Sequence, residues 1–538
     1  MRTSHGALSQ MWLPKHVYPP PPPPSPRINI GYVSSDFNSH PLAHLIQSVF
    51  GMHDRSRFNI FCYATSPPDH STYRHKIEHE AQHFIDVSNW PTQRIINQIL
   101  RDQIHILVNL NGYTKGARSD IFASRPCPVQ IQLMGFAGTM ASSWTDWMVA
   151  DPIVCHPRMT SAFRWRERNC EGENDWIGDF GGSLDPESPR EDWVYTERLI
   201  YMPRTYFAND HAQGFRHPAE VNFVASEVAL FADDAWEIEE MRRWTMRKRL
   251  FPSLPDDYVI FADFNQLYKT DPSLFKVWLR ILARVPKSVL WLLRFPASGE
   301  THLRRFALEW GGPDVASRVI FTDVAPKHVH IYRGRVADLF LDTTECNAHT
   351  TAADILWSGT PLLTWPQHTH KMCSRVAASI VLATNEGSKL VAHSAQEYEE
   401  RAVEFANSIS YSYVLRTPEG DKPLPPPAPS NTRMDPVELT SHVTDKAVVE
   451  SMVPPSTNFV FRRGHGELVD IRLKLFMSRD ACPLFDTRAW TQALETGYEE
   501  AWRRWESGTE MEDTPEWRAL PADAPERRSS HIWLCESN

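Results

Sequence analysis

The stretch Leu339-Phe-Leu-Asp-Thr-Thr-Glu-Cys-Asn-Ala-His-Thr-Thr-Ala-Ala-Asp-Ile-Leu-Trp-Ser-Gly-Thr-Pro-Leu-Leu-Thr-Trp365 decides the fold class. An apolar run, Leu339–Leu341, gives way at Asp342 to a polar segment that ends in His349-Thr350-Thr351. That segment opens a helix over Ala352–Ser358, and an apolar run returns at Pro361–Trp365. Strand, helix, strand in this rhythm predicts a parallel sheet covered by helices. Upstream the rhythm repeats at Tyr258–Phe264, Val289–Phe295 and Val319–Thr322, with a helix expected over Pro272–Arg284. It recurs nearer the N-terminus at Ile28–Val33, Phe58–Tyr63, Ile104–Leu110, Val129–Met134 and Trp147–Ala150. The expectation is an α/β chain with two parallel-sheet lobes.

At 538 residues the chain exceeds what one hydrophobic core supports. Expected boundaries are a disordered Pro-rich leader at 1–26, a first lobe at 27–213 with an insertion near 160–192, and a helical connector at 214–250. A second lobe at 251–415, a Pro-rich mobile insertion at 416–455, closing helices at 456–510 and a tail at 511–538 follow. Fifty-six basic against 66 acidic side chains give a net charge of −10, which disfavours nucleic acid or an anionic membrane surface as the main partner. Eight cysteines lie far apart, without a CxxC pair or zinc spacing, as in a cytosolic or nuclear protein. No apolar run approaches the ~20 residues that span a bilayer, so a soluble chain is expected.

In open parallel sheets, ligands bind beyond the carboxyl ends of the strands. At the helix start, His349, Thr350 and Thr351 set side-chain donors beside free backbone N–H groups, an arrangement that suits a phosphate or diphosphate; a Thr there is equally a plain helix cap. Lys269 sits between a strand and the helix opened by Pro272, where a cation neutralises phosphate or is merely solvated. Lys327, His330 and Arg333 share one helix face, either a nucleotide site or an exposed basic face. In the first lobe, Asp36 and His40 follow a strand; a carboxylate and an imidazole can move a proton near neutral pH, or cap a loop. Gly112, Gly135 and Gly138 follow strands, where a backbone can approach a ligand closely. There is no GxxxxGK[ST], no GxGxxG in a βαβ setting and no Asp-x-Asp. Any diphosphate must then be held by Lys, His and the helix dipole, with neither metal nor other cofactor.

Seven ordered segments closely resemble the catalytic region of the protein O-GlcNAc transferase family. They are GYVSSDFNSHPLAHL (Gly31–Leu45), HILVNLNGYTKGAR (His105–Arg118), FNQLYKTDPS (Phe264–Ser273), SVLWLLRFPA (Ser288–Ala297), VAPK (Val324–Lys327), CNAHTTAADILWSGTPLLT (Cys346–Thr364) and SRVAAS (Ser374–Ser379). The resemblance runs from about Arg27 to Ala383, and Pro483-Leu-Phe-Asp486 with the helix to Trp505 is similar to the family's C-terminal segment. It implies a GT-B fold of two Rossmann-like lobes, a cytoplasmic and nuclear location, and metal-independent, inverting transfer of N-acetylglucosamine from UDP to Ser or Thr of proteins. The expected partners are thus a UDP-sugar and protein acceptors.

By motif position, the resemblance puts Lys269 on the diphosphate and His349, Thr350 and Thr351 on the phosphates and sugar. Lys327 and Asp354 match ribose contacts, Ala325, His330 and Arg333 the uracil pocket, and Gln266 with Cys346 the lining of the nucleotide site. Asp36 and His40 match residues that help move the acceptor proton, and Leu42 and Gly135 lie where the sugar is expected. Two departures fall there: Leu42 replaces the family's Thr, and Gly135-Phe-Ala-Gly-Thr-Met-Ala141 replaces its Gly-Tyr-Pro-Gly-Thr-Ser-Gly turn. The polyproline lead-in resembles fungal members, and the family's tetratricopeptide repeats are not within this sequence. The alternatives are a protein O-fucosyltransferase using GDP-fucose and an inactive sugar-nucleotide-binding scaffold.

Overall fold

In a computed structural model of the chain, residues 17–160, 194–220, 228–427, 435–455, 458–508 and 531–535 are described. The expected insertion near 160–192 and the tail at 511–538 therefore fall almost wholly outside the described residues. The chain divides into two compact units. One comprises Met1–Asp210, Thr369–Met372 and Asp486–Asn538; the other comprises His211–His368 and Cys373–Phe485.

In the first unit, β1 (Ile28–Ser34), β2 (Phe58–Ala64), β3 (His83–Asp86), β4 (Ile106–Asn109), β5 (Val129–Gln132), β6 (Trp147–Ala150) and β7 (Arg198–Tyr201) form one sheet with Ile532–Trp533. Its order is Ile532–Trp533, β7, β6, β5, β4, β1, β2, β3, and every neighbouring pair is parallel. The inner strands read as continuous apolar runs because helices cover both faces: Ile30, Ile60, Ile106 and Leu107 are fully buried.

The second unit holds β8 (Val259–Asp263), β9 (Ser288–Leu293), β10 (Val319–Thr322), β11 (Leu339–Leu341) and β12 (Leu362–Leu363), parallel in the order β10-β9-β8-β11-β12. The helix Pro272–Arg284 has the expected bounds. Asp271 caps it by accepting from the N–H groups of Ser273 and Leu274, Pro272 occupies its first turn, and Leu274, Phe275, Trp278 and Ile281 are buried. The α/β class of the GT-B type, with two Rossmann-like units, is thus the one that the strand rhythm and the resemblance led us to expect.

Two expectations are corrected. The described residues of 416–455, namely 416–427 and 435–455, are not one loop: β13 (Ser410–Thr417) pairs antiparallel with β14 (Gly420–Leu424) and with β15 (Phe459–His465), and helices span Pro436–Thr440 and Asp445–Ser451. Tyr413, Val414 and Phe461 from this sheet bury themselves with Met241 and Trp244, so apolar contact orders a segment whose Pro and Ser content reads as loop. The closing helices at 456–510 are also not one block. The helix Thr487–Glu506 belongs to the first unit, where Tyr498 reaches the Tyr32 hydroxyl at 3.2 Å and Glu495 meets His53 Nδ1 at 3.0 Å. Of the leader, residues 17–26 are described; they lack regular secondary structure, and His105 Nε2 lies 3.0 Å from the Pro22 carbonyl oxygen.

Candidate functional site

In the second unit the chemistry gathers beyond the carboxyl ends of β8, β10 and β11. Asp342 follows β11 and shapes the loop after it, accepting from the N–H groups of Thr343 (2.9 Å) and Ala348 (2.7 Å) and from the Thr364 hydroxyl (2.7 Å). The loop so folded turns the Asn347 carbonyl to Lys269, whose Nζ donates to it at 2.9 Å. Within an otherwise buried stretch, Glu345, Cys346, His349, Thr350 and Thr351 stay partly open. His349 stands at the N-cap of the helix Thr350–Trp357, and its Nε2 lies 3.1 Å from the Cys373 carbonyl oxygen. No side chain caps the helix start, so both readings of the threonines are narrowed: neither serves as N-cap, and the first-turn N–H groups lack the usual side-chain acceptor. The Cys346 thiol is held well below its ordinary value by a hydrogen bond from Cys373, with His349 and Lys269 adding to it against the opposing effect of burial.

One turn into that helix, Asp354 is buried and gathers three basic groups: Lys327 Nζ at 2.6 and 2.7 Å, His211 Nε2 at 2.7 Å and His330 Nε2 at 3.7 Å. Burial alone would raise its carboxyl, but Lys327 and the two imidazoles hold it well below the usual range. His330 is pushed down to about 3, chiefly by burial, so its ring is neutral at physiological pH. Arg333 donates from one Nη to the Asp323 carbonyl at 2.9 Å, while its Nε and other Nη are buried without a hydrogen-bond partner. Ala325 lies in the loop between β10 and the helix Lys327–Gly334, and Gln266 stands at the N-cap of the short turn that carries Lys269. The geometry therefore brings Gln266, Lys269, Ala325, Lys327, His330, Arg333, Cys346, His349, Thr350, Thr351 and Asp354 to one end of one sheet.

In the first unit, Asp36 accepts from the Ser35 hydroxyl (2.8 Å) and from Asn111 Nδ2 (2.9 Å). His40 caps the helix Pro41–Ile46, its Nδ1 accepting from the Leu42 N–H at 3.3 Å and lying 3.6 Å from Asp36 Oδ2. His40 is thus a helix cap whose ring also lies near a carboxylate. With Nδ1 accepting from the Leu42 N–H, the neutral ring carries its proton on Nε2. Leu42 is buried. Gly135 presses on the β4 end, where a Cβ would stand 1.6 Å from the Leu110 carbonyl oxygen.

Sequence reasoning missed His211, which pairs with a carboxylate 143 residues away and has no local signal. It also missed Asp263 and Asp342 as a pair, buried at the ends of adjacent strands. Burial pushes Asp263 up to about 8, with the Asp342 charge adding to it, and pushes Asp342 up to about 7. Among the described residues no group of three or more His, Cys, Asp or Glu forms a metal-binding cluster, and no helix is long and apolar enough to cross a membrane.

A family model described as glycosyl transferase family 41 matches residues 14–179 and 233–418. The chain is 37% identical over 477 residues to an Arabidopsis thaliana protein named probable UDP-N-acetylglucosamine–peptide N-acetylglucosaminyltransferase SEC; the match covers 88% of this chain and 37% of that protein. It is 31% identical over 567 residues to a Caenorhabditis elegans UDP-N-acetylglucosamine–peptide N-acetylglucosaminyltransferase, covering 90% of this chain and 41% of that one. The chain thus spans about two fifths of the length of these curated relatives. Its fold is similar to that of a mutant of the Thermobaculum terrenum O-GlcNAc transferase, with a TM-score of 0.60, 20% identity, and coverage of 94% of this chain and 75% of that one.

Proposed function

Because the chain belongs to glycosyl transferase family 41, we propose that it moves N-acetylglucosamine from UDP-N-acetylglucosamine to Ser and Thr hydroxyls of cytoplasmic and nuclear proteins, with inversion and without a metal. The observation that carries this reading is the cation set beyond β8, β10 and β11: Lys269 against the Asn347 carbonyl, beside a helix start without a side-chain cap. A diphosphate leaving group gains negative charge as the glycosidic bond breaks, and a fixed ammonium and oriented N–H groups stabilise that change most where it is greatest. His349, Thr350 and Thr351 grip the phosphates in this reading. Asp354, held ionised, accepts from a ribose hydroxyl with Lys327 beside it. The neutral His330 ring and the spare donors of Arg333, next to Ala325, suit a pyrimidine with two carbonyls. Gln266 and Cys346 line the same end of the sheet.

In the first unit we assign Asp36 and His40 to the proton of the acceptor hydroxyl, and Leu42 and Gly135 to the sugar. The 3.6 Å between His40 Nδ1 and Asp36 Oδ2 supports this, since a carboxylate at that distance steadies an imidazolium as it forms. The test is calorimetric titration of the chain with UDP and GDP, beside transfer assays with both sugar nucleotides. UDP binding with transfer of N-acetylglucosamine is expected. Preference for GDP with fucose transfer, or UDP binding without transfer under any acceptor, contradicts the reading.

A further inference from the structure

At the opposite end of the second sheet from Lys269 lies a cavity of about 30 Å³ whose wall carries four arginines, Arg243, Arg247, Arg462 and Arg472, against two carboxylates, Glu240 and Asp338. Its elements are the helix Val228–Leu250, the strand β15, the helix Glu467–Ser478 and the residues that precede β11. Among the described residues, one of these guanidiniums meets a carboxylate: Arg243 lies 3.2 Å from Asp338 Oδ1. Arg472 donates to the carbonyls of Arg335, Ala337 and Asp338, and Arg462 donates to the Asp256 carbonyl and stacks 3.7 Å over the Tyr411 ring. Glu240 accepts from the Gly464 N–H at 2.9 Å.

Arg247 is the decisive group. It is 2% exposed, and one Nη donates to the carbonyls of Pro255 and Tyr258, both at 2.9 Å. Among the described residues, its Nε and other Nη are buried without a hydrogen-bond partner and it has no ion-pair partner. Elsewhere in this unit Arg335 and Arg479, each 1% exposed, both pair with Glu220. Burial and the neighbouring Arg462 push Arg247 down to about 10, as expected of a cation short of compensating charge.

We propose that this cavity is a site for a monatomic anion, chloride, held by the free N–H groups on Nε and one Nη of Arg247 in the field of Arg462 and Arg472. A water molecule needs roughly 10–15 Å³ of such space, so the cavity is of the order of one or two waters or one such ion. Water would answer the orphaned donors but leave four cations facing two carboxylates; an anion answers both. The ion ties the helix, the antiparallel sheet and the start of the parallel sheet together, and its role is in stability.

Two measurements on the full chain test this. In thermal unfolding at constant ionic strength, replacing sodium gluconate with sodium chloride should raise Tm saturably, and Arg247→Leu should abolish the difference. Because that variant is exposed to folding failure, crystals of the unaltered protein soaked in sodium bromide give an independent readout: anomalous scattering beside Arg247. Equal Tm in chloride and gluconate, an ordered water beside Arg247 in bromide-soaked crystals, or bromide found only elsewhere overturns the proposal.

Discussion

Lys269 and Cys346 meet the same loop from two sides, and each yields a test that the other does not. Lys269 Nζ holds the Asn347 carbonyl at 2.9 Å, a contact that a diphosphate oxygen can replace. Lys269→Ala should lower kcat for transfer by about 100-fold or more, the range seen when an oriented charge-stabilising donor is lost. Unchanged donor kinetics would remove Lys269 from the mechanism. The lowered thiol of Cys346 should make it react with iodoacetamide at mildly acidic pH ahead of the buried Cys62 and Cys127, whose thiols burial pushes up. Peptide mapping should show UDP protecting Cys346; labelling that UDP leaves untouched would place the thiol outside the nucleotide site. Lys269 was legible because it stands just after an apolar run, whereas His211 was not, since nothing near it in the chain announces a partner at Asp354.

Strand ends carry the next level of consequence. Asp263 ends β8 and Asp342 follows β11; both are fully buried, with folded values of about 8 and about 7 against an unfolded carboxylate near ~3.9. The folded state therefore binds more protons than the unfolded state between about pH 4 and pH 8. Stability is undiminished below that window and falls as pH rises through it. Asp263→Asn removes one such proton and should flatten the decline by on the order of 1.4 kcal/mol per pH unit between roughly pH 5 and 7, measured by urea unfolding at several pH values. An unaltered slope would mean that Asp263 is already ionised in the folded state.

Gly135→Ala drives a Cβ into the Leu110 carbonyl and should destabilise by about 1–3 kcal/mol, read as a fall in Tm. The buried inner strands were legible because a strand covered on both faces is a continuous apolar run. β3 was missed because it is an edge strand in which none of His83–Asp86 is buried. The β13–β14 hairpin was missed because Pro423 and its exposed polar residues read as loop, while what orders it is Trp244 and Met241, far away in the chain.

For the molecule as a whole, the sequence divides the chain at the wrong places where the chain returns. The segments Thr369–Met372 and Asp486–Asn538 belong to the first unit, and no local signal marks a helix that packs on strands more than 400 residues earlier. For the candidate site, a strand-end rule and seven motif segments converge on the same loops. If Lys269 and the helix start at Thr350 supply the positive field, transfer should survive EDTA. Activity lost to EDTA and restored by Mn²⁺ or Mg²⁺ would show that the field is insufficient. The central claim is most directly tested by mass spectrometry of a Ser/Thr-rich protein acceptor after incubation with UDP-N-acetylglucosamine and either the chain or its Lys269→Ala variant. The expected result is an acceptor heavier by one N-acetylhexosamine with the chain and essentially none with the variant; equal modification by both, or an unmodified acceptor under conditions where UDP is bound, would contradict it.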